Sequence, residues 1–346
     1  MSEPRAGALR VSVVDPSGGE REAIALRVAD EDGGVGWGEA SPLPGYSDDD
    51  LDTVEAALDE WAAARERGDV ADVPERLPSA RCAIDTARLD LAARRRGLPL
   101  HELLLEGAAP VRTVGRVRVA ALVSLAGVAR PGAPPPAGSA LRAVTDCVAV
   151  GFKTVKLKIG GADFDAELEQ LVEIRAAFPF LRLRLDANGA WTPEDAIGRL
   201  AELERRVGPE LVEQPVGPAE LLSFTGAAVP IAADETMRLP GALERLAETG
   251  GCAAVVLKPM VLGGPTACFR LGRRALEHGM GAIVTHTFGG PIAHATACEL
   301  ALALAAIDPI GGAPAAGLAG HDDLPQRQGP WITPAAVLGH GVDRPW

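Results

Sequence analysis

Large rings are scarce in this 346-residue sequence: Phe, Trp and Tyr make up 4% of it, and Tyr46 is its one tyrosine. The core must therefore be built from small and aliphatic side chains, which a 47% apolar content supplies. The five cysteines (Cys82, Cys147, Cys252, Cys268, Cys298) are odd in number and scattered, and no CxxC occurs. That pattern argues against a disulfide framework or a structural zinc site and suits a reducing cytoplasm. Basic residues are outnumbered, 34 Lys+Arg against 47 Asp+Glu, and a net charge of −13 without a long basic run makes nucleic acid a poor partner. The longest apolar run, "LALALAAI" (300–307), is too short to span a membrane, and "MSEPRAGALR" at the start lacks the apolar core of a secretory signal. Also missing are a GxGxxG after a first strand and a GxxxxGK[ST], the backbone cradles of dinucleotide and P-loop phosphate sites.

What is present falls into two rhythms. In the first hundred residues, "LRVSVVD" and "AIALRVAD" read as paired strands, "GGVGWGEASPLPGYS" as a Gly/Pro-rich loop, and 48–67 and 80–97 as helices. Strands followed by helices imply a small α+β domain. From about residue 115, short apolar runs alternate with amphipathic stretches: "RVAALVSL", "TVKLKIG", "LRLRLDANG", "ELVEQP", "IAADET", "AAVVLKP" and "GAIVTHT". Repeated strand–helix units predict a parallel (β/α) barrel. An eighth unit is weak, with "AAIDPI" (305–310) as the one candidate, and "RPGAPPPAGS" (130–139) reads as a loop after the first strand.

Five of these apolar runs carry a charged residue at their end. In "TVKLKIGG", Val155, Leu157 and Ile159 alternate with Lys156 and Lys158, so a strand would present both lysines on one face. Lys158, Asp186, Glu213, Asp234 and Lys258 recur at intervals of 28, 27, 21 and 24 residues. Such spacing matches βα units of about 30 residues in a barrel whose strand C-termini form the active-site mouth. Three carboxylates from adjacent strands, flanked by lysines, suit a hard divalent cation such as Mg²⁺, and the lack of His or Cys among them argues against zinc. The chemistry that needs this set is removal of a proton next to a carboxylate. A cation and ammonium groups stabilise the charge that develops, and like charges side by side help one lysine give up its proton to act as the base.

This ordered set, as "VKLKIG", "LRLDANGAW", "LVEQP", "AADET" and "VVLKP", resembles the enolase superfamily, in its muconate-lactonizing subgroup. "GWGEASPLPGYS" (36–47) and "ARCAIDTARLDLAARRRGLPL" (80–100) are similar to capping-domain segments of the o-succinylbenzoate synthases. The resemblance implies a modified TIM barrel of enolase type with an N-terminal α+β capping domain. The expected divisions are 1–108 (cap), 109–317 (barrel) and 318–346 (a segment packing back on the cap). It implies Asp186, Glu213 and Asp234 as ligands of Mg²⁺, with Mn²⁺ able to substitute. Lys158 would be the general base and then the acid, Lys156 would hold the substrate carboxylate, and Lys258 would stabilise the enediolate. Substrate contacts are expected from Asn188, Gly45, Tyr46, His286, Phe288 and Gly289, with Gly289-Gly290 offering backbone N–H groups to a carboxylate. The implied substrate is a small carboxylate, with neither nucleic acid nor membrane as partner, and a homo-oligomer is compatible with the resemblance. The implied reaction is dehydration of 2-succinyl-6-hydroxy-2,4-cyclohexadiene-1-carboxylate to o-succinylbenzoate, a menaquinone-pathway step. N-succinylamino-acid racemisation or dipeptide epimerisation on the same scaffold is the alternative. Many relatives carry a Ser-rich or Glu-Ser segment where this chain has "VTHTFGGPIAHA" (284–295), and "AIDPIGG" supplies Asp308 alone where dipeptide epimerases of the resembling family usually place an Asp-x-Asp.

Overall fold

A computed structural model describes residues 6–14, 20–69, 71–108, 111–125, 139–161, 163–308 and 324–343. Strands β1 (Ala6–Val14), β2 (Glu20–Ala29) and β3 (Val35–Ala40) form an antiparallel sheet in that order, followed by helices α1 (Leu51–Arg67), α2 (Pro78–Arg96) and α3 (Leu100–Leu104). Asp50 accepts the Thr53 N–H at the start of α1, and Gly68 closes the helix in the left-handed conformation (φ 81°). Ile24, Leu26 and Val28 of β2 pack with Leu58 and Trp61 of α1 and Ala83 and Ala87 of α2 in a core of their own.

The stretch "GGVGWGEASPLPGYS" is not wholly a loop, because its first half is strand β3. The glycines are there for close approach. A Cβ on Gly36 would lie 2.2 Å from the Ala87 carbonyl oxygen and one on Gly38 only 1.9 Å from that of Ala83. Helix α2 therefore rests on the backbone of β3, which a Gly-rich pattern disguises as a turn.

The rest of the chain alternates strand and helix. Its elements are β4 (Val117–Arg118), β5 (Ala121–Ser124), α4 (Ser139–Ala149), β6 (Thr154–Lys158), α5 (Phe164–Ala177), β7 (Arg182–Asp186), α6 (Pro193–Arg206), β8 (Leu211–Glu213) and α7 (Pro218–Leu221). They continue with β9 (Ile231–Ala233), α8 (Ala242–Thr249), β10 (Ala254–Leu257), α9 (Pro259–Leu262), α10 (Pro265–Glu277), β11 (Gly281–Val284), α11 (Pro291–Ile307), β12 (Arg327–Gln328) and β13 (Trp331–Ile332). Strands β5 to β11 form one parallel seven-stranded sheet in sequence order, curled into a half-barrel with helices around it. Val155, Leu157, Leu183, Leu185 and Val212 point outward into the main core with Leu168, Leu171 and Leu200 of the helices. Leu211, Ala232, Ala254, Val256 and Ile283 fill the inside of the curl. Fully burying one such aliphatic side chain is worth about 1.5–3 kcal/mol, so the alternation fixes which face of each strand meets the helices.

Two expectations about the strands change. "RVAALVSL" divides into β4 and β5, because β4 leaves the parallel sheet to pair with β13 (Val117 with Ile332, Arg118 with Trp331). The eighth-strand candidate at 305–310 is helical as far as Ile307, Asp308 caps that helix, and residues 309–310 lie outside those described. Ala-rich "LALALAAI" favours helix and is buried on nearly all sides, so no strand-like exposed face is left. Most of the loop at 130–139 also lies outside the described residues. Residues 324–343 touch both parts of the molecule: Gln326 donates to Glu299 of α11 (2.9 Å), and Arg94 of α2 donates to the Val342 carbonyl (2.9 Å). The five cysteines are free thiols, and no described helix is long and apolar enough to cross a membrane.

Candidate active site at the strand ends

Strand register assembles the site. Lys158 pairs with Asp186 across β6 and β7, and Asp186 pairs with Glu213 across β7 and β8, so these side chains lie in one row on one face. Glu213 pairs with Ala232, and Asp234 stands two residues beyond it, hence on the same face. Ala254 pairs with that same Ala232, and Lys258, four residues further, keeps the parity. Lys156 precedes Lys158 by two. All six charged residues thus face the inside of the curl at its C-terminal rim, the rim expected to carry chemistry in such folds. Asp186, Glu213 and Asp234 are 2–3% exposed and Lys258 is 8% exposed.

Burying three carboxylates together is costly unless cations answer them. Lys156 Nζ bridges Asp186 (2.9 Å) and Glu213 (2.6 Å), and Lys258 Nζ pairs with Asp234. Burial pushes the Glu213 carboxyl up to about 8; Lys156 opposes this, but Asp186 and Asp234 add to it. Burial also pushes Asp234 upward, yet Lys258 and Lys156 outweigh it and hold that carboxyl below its ordinary range. Lys156 and Lys258 both stay cationic well above the ordinary lysine range, because the facing carboxylates outweigh their desolvation. Among the described residues no three or more His, Cys, Asp or Glu side chains are preassembled around one point, since the lysines hold the carboxylates. The donor chemistry nevertheless fits a hard divalent cation: all-oxygen ligands on adjacent strand ends, and a Glu213 that two ammonium groups leave short of compensation.

Backbone strain gathers at the same rim. Only Asn188, Gln214 and Phe288 among the described non-glycine residues have φ above zero (46°, 41° and 55°), and each directly follows or closely follows a strand end. Asn188 donates its backbone N–H to Asp186 (3.1 Å) and its amide to Glu235 (3.4 Å). Gln214 is fully buried. Its carbonyl accepts the Asp234 N–H (2.9 Å), and its amide donates to Thr236 (2.8 Å) and to the Val216 carbonyl (2.9 Å). It therefore fixes the turn that aims Asp234. The sequence offered one hint of this, a Gln wedged between Glu213 and Pro215 at a strand end.

Above the row lies a cavity of about 100 Å³ lined by Leu43, Tyr46, Ala120, Leu122, Lys156, Lys158, Asp186, Asn188, Lys258, Thr285, His286, Thr287 and Phe288. Tyr46 reaches down from the N-terminal domain: its hydroxyl accepts from Lys258 (2.6 Å) and stands 3.4 Å from Asp234. Arg238 stacks 4.0 Å above the Tyr46 ring and donates to the Tyr46 carbonyl (2.7 Å). Of the expected substrate contacts, Asn188, Tyr46, His286 and Phe288 line the cavity, whereas Gly45 and Gly289 do not. The expected N–H donor at Gly290 is already taken: Glu39 of β3, 1% exposed, accepts from Gly290 (2.6 Å) and Ala293 (3.2 Å) at the start of α11. Gly289 and Gly290 are small because β1 and β3 come close, a Cβ on Gly289 falling 2.7 Å from Ser41 Oγ and one on Gly290 2.6 Å from Val13.

A family model described as "Enolase C-terminal domain-like" matches residues 139–329, more than half of the chain. The chain belongs to the enolase superfamily. A second model, "MenC, N-terminal domain", matches residues 11–91 and so covers the sheet and helices that carry Tyr46. Among curated members of the superfamily, the o-succinylbenzoate synthase of Pasteurella multocida (strain Pm70) is 30% identical over 280 residues, 77% of this chain and 73% of that protein. The L-Ala-D/L-Glu epimerase of Bacillus subtilis (strain 168) is 28% identical over 280 residues, 76% of this chain and 72% of that protein. The solved dipeptide epimerase from Methylococcus capsulatus, complexed with Mg and dipeptide L-Arg-D-Lys, has the same fold. It superposes with a TM-score of 0.79 at 23% identity over 97% of this chain and 98% of that one.

Proposed function

We propose that this enolase-superfamily protein removes the proton α to a substrate carboxylate, and that its reaction is the dehydration of 2-succinyl-6-hydroxy-2,4-cyclohexadiene-1-carboxylate to o-succinylbenzoate. Asp186, Glu213 and Asp234 would hold Mg²⁺, which when bound supplies Lewis-acid stabilisation of the charge developing on the substrate carboxylate. Lys158 takes the α-proton from the cavity side and returns it to the departing hydroxide. Lys156 neutralises the carboxylate end of the substrate. Lys258, kept cationic beside Asp234, supplies positive charge from the other side as the enediolate forms. Loss of water makes the ring aromatic, so one base suffices.

The observation that carries this reading is the lining of the cavity. Among the described residues that line it, the one acid is Asp186, already committed to the row, while Leu43, Ala120, Leu122 and Phe288 supply apolar walls. A ring with a succinyl tail suits such walls. The free ammonium group of a dipeptide asks for a further carboxylate, which the described lining residues do not supply. Racemisation of an N-succinylamino acid is the second reading, since it has no free ammonium and the cavity has lysines from β6 and from beyond β10 to serve both faces of an α-carbon. The test is aromatic product formation, followed by absorbance with Mg²⁺ and with EDTA, beside α-proton exchange of N-succinylamino acids and dipeptides in D₂O. Fast product that EDTA abolishes supports dehydration. Exchange of N-succinylamino acids without product replaces it with racemisation, and exchange of dipeptides alone overturns the reading of the cavity walls.

A further inference from the structure

Two loops wall the cavity away from the strands. Residues 41–47 bring Leu43 and Tyr46 from the N-terminal domain, and residues 285–290 bring Thr285, His286, Thr287 and Phe288 from the barrel. Arg21, half-buried near the start of β2, lies between them and is not itself among the lining residues. Its Nη1 donates to the carbonyls of Ser41 (3.1 Å) and Pro42 (2.8 Å). Its Nη2 donates to the carbonyls of Thr287 (3.2 Å) and Phe288 (2.7 Å). Each terminal nitrogen serves one loop, so a rigid planar group sets the distance between them.

The barrel loop needs such a hold. Phe288 sits at φ 55°, a conformation that a bulky residue keeps only where its surroundings impose it. Both of its backbone polar groups are engaged: its N–H donates to His286 Nδ1 (2.9 Å), and its carbonyl accepts from Arg21. The His286 ring is in turn edge-on to the Phe288 ring at 5.4 Å. One guanidinium thereby fixes the orientation of two side chains that face the substrate, and, through Ser41 and Pro42, the approach of Leu43 and Tyr46.

We infer that Arg21 is a positioning residue that sets the spacing of the two cavity loops, and with it which substrate the cavity prefers, without touching the substrate. The inference rests on the cavity being the substrate site. A lysine, a point charge with three tetrahedral donors, cannot reproduce a planar fork aimed at four carbonyls.

The test uses the single tyrosine. With 3-fluorotyrosine incorporated in the full chain, Tyr46 gives one ¹⁹F resonance, recorded for the wild type, Arg21→Lys and Arg21→Met. Turnover of the cyclohexadiene substrate and of an N-succinylamino acid is measured on the same samples, with thermal unfolding. The expected result is a displaced or split resonance in both variants. With it comes a loss of about tenfold or more in kcat/KM, the scale of a small misplacement, and a changed ratio between the two substrates. A purely structural arginine would lower the melting temperature while leaving the ratio and the resonance of the folded fraction alone, and that result would overturn the inference. Should Arg21→Met fail to fold, Arg21→Lys, which keeps the charge, decides alone. If the wild type turns over neither substrate, the proposed function fails, yet the ¹⁹F comparison still upholds or refutes the clamp.

Discussion

Asp186 and Glu213 are neighbours because β7 and β8 pair residue by residue, whereas the loops carrying Tyr46 and Phe288 line one cavity and are both bonded by Arg21, which reaches a carbonyl 267 positions away. The first arrangement is periodic and local to the sheet. Once the strands form, the charged row has nowhere else to go. The second is a seam between two parts of the chain, set by side chain to backbone bonds that no repeat announces. On the proposed reading, chemistry would sit on the sheet and substrate choice on the seam, the division expected when loops vary on a fixed scaffold.

The largest expected effect breaks the rigid side. Lys158→Ala should lower kcat by about 10²–10⁴-fold, the usual worth of a positioned general base. Because Lys158 is exposed to the cavity, circular dichroism and thermal unfolding should stay close to wild type. Chelation should act on the same side. Dialysis against EDTA should remove activity and added Mg²⁺ restore it, with Asp186→Asn and Glu213→Gln requiring far more Mg²⁺ for half-maximal rate. Gln214→Leu, which takes away the acceptor of the Asp234 N–H, should cost about 10–100-fold in metal affinity or rate, read from a Mg²⁺ titration. On the seam the effects are smaller. His286→Ala should change the ratio of kcat/KM between two substrates by up to about tenfold while leaving the Mg²⁺ requirement unchanged. Away from both, Gly38→Ala should affect stability alone. Forcing a Cβ against the Ala83 carbonyl should cost about 1–3 kcal/mol or more, seen as a lower midpoint in urea with Mg²⁺ affinity unaltered.

How much of this was readable follows the same boundary. Lys156 and Lys158 could be placed on one face from "TVKLKIGG" alone, and Asp186, Glu213, Asp234 and Lys258 from their recurrence at strand ends, because period and register are local properties. Gln214 escaped notice because its role depends on Asp234 and Thr236, which are brought to it only by the fold. Arg21 carries no sequence sign of its place, because Ser41, Pro42, Thr287 and Phe288 are brought to it only by the fold. Gly36 and Gly38 read as turn residues because only a packed α2 reveals why a side chain is excluded there. Gly290 was read as open to a substrate because Glu39, 251 positions earlier, gives no sequence sign of reaching the start of α11. Short strands paired out of order, as β4 with β13, defeat a reading that expects each apolar run to be a single element.

The central claim is that the charged row is a proton-abstraction centre with Lys158 as its base. The most direct measurement is α-proton exchange and product formation by wild type and Lys158→Ala side by side in D₂O with Mg²⁺, using the cyclohexadiene substrate and N-succinylamino acids. The account predicts aromatic product with the wild type, none above background with Lys158→Ala, and unchanged circular dichroism for both. Turnover that persists undiminished in Lys158→Ala would contradict it, since no other lysine on β6 reaches the cavity except Lys156, which is held between Asp186 and Glu213.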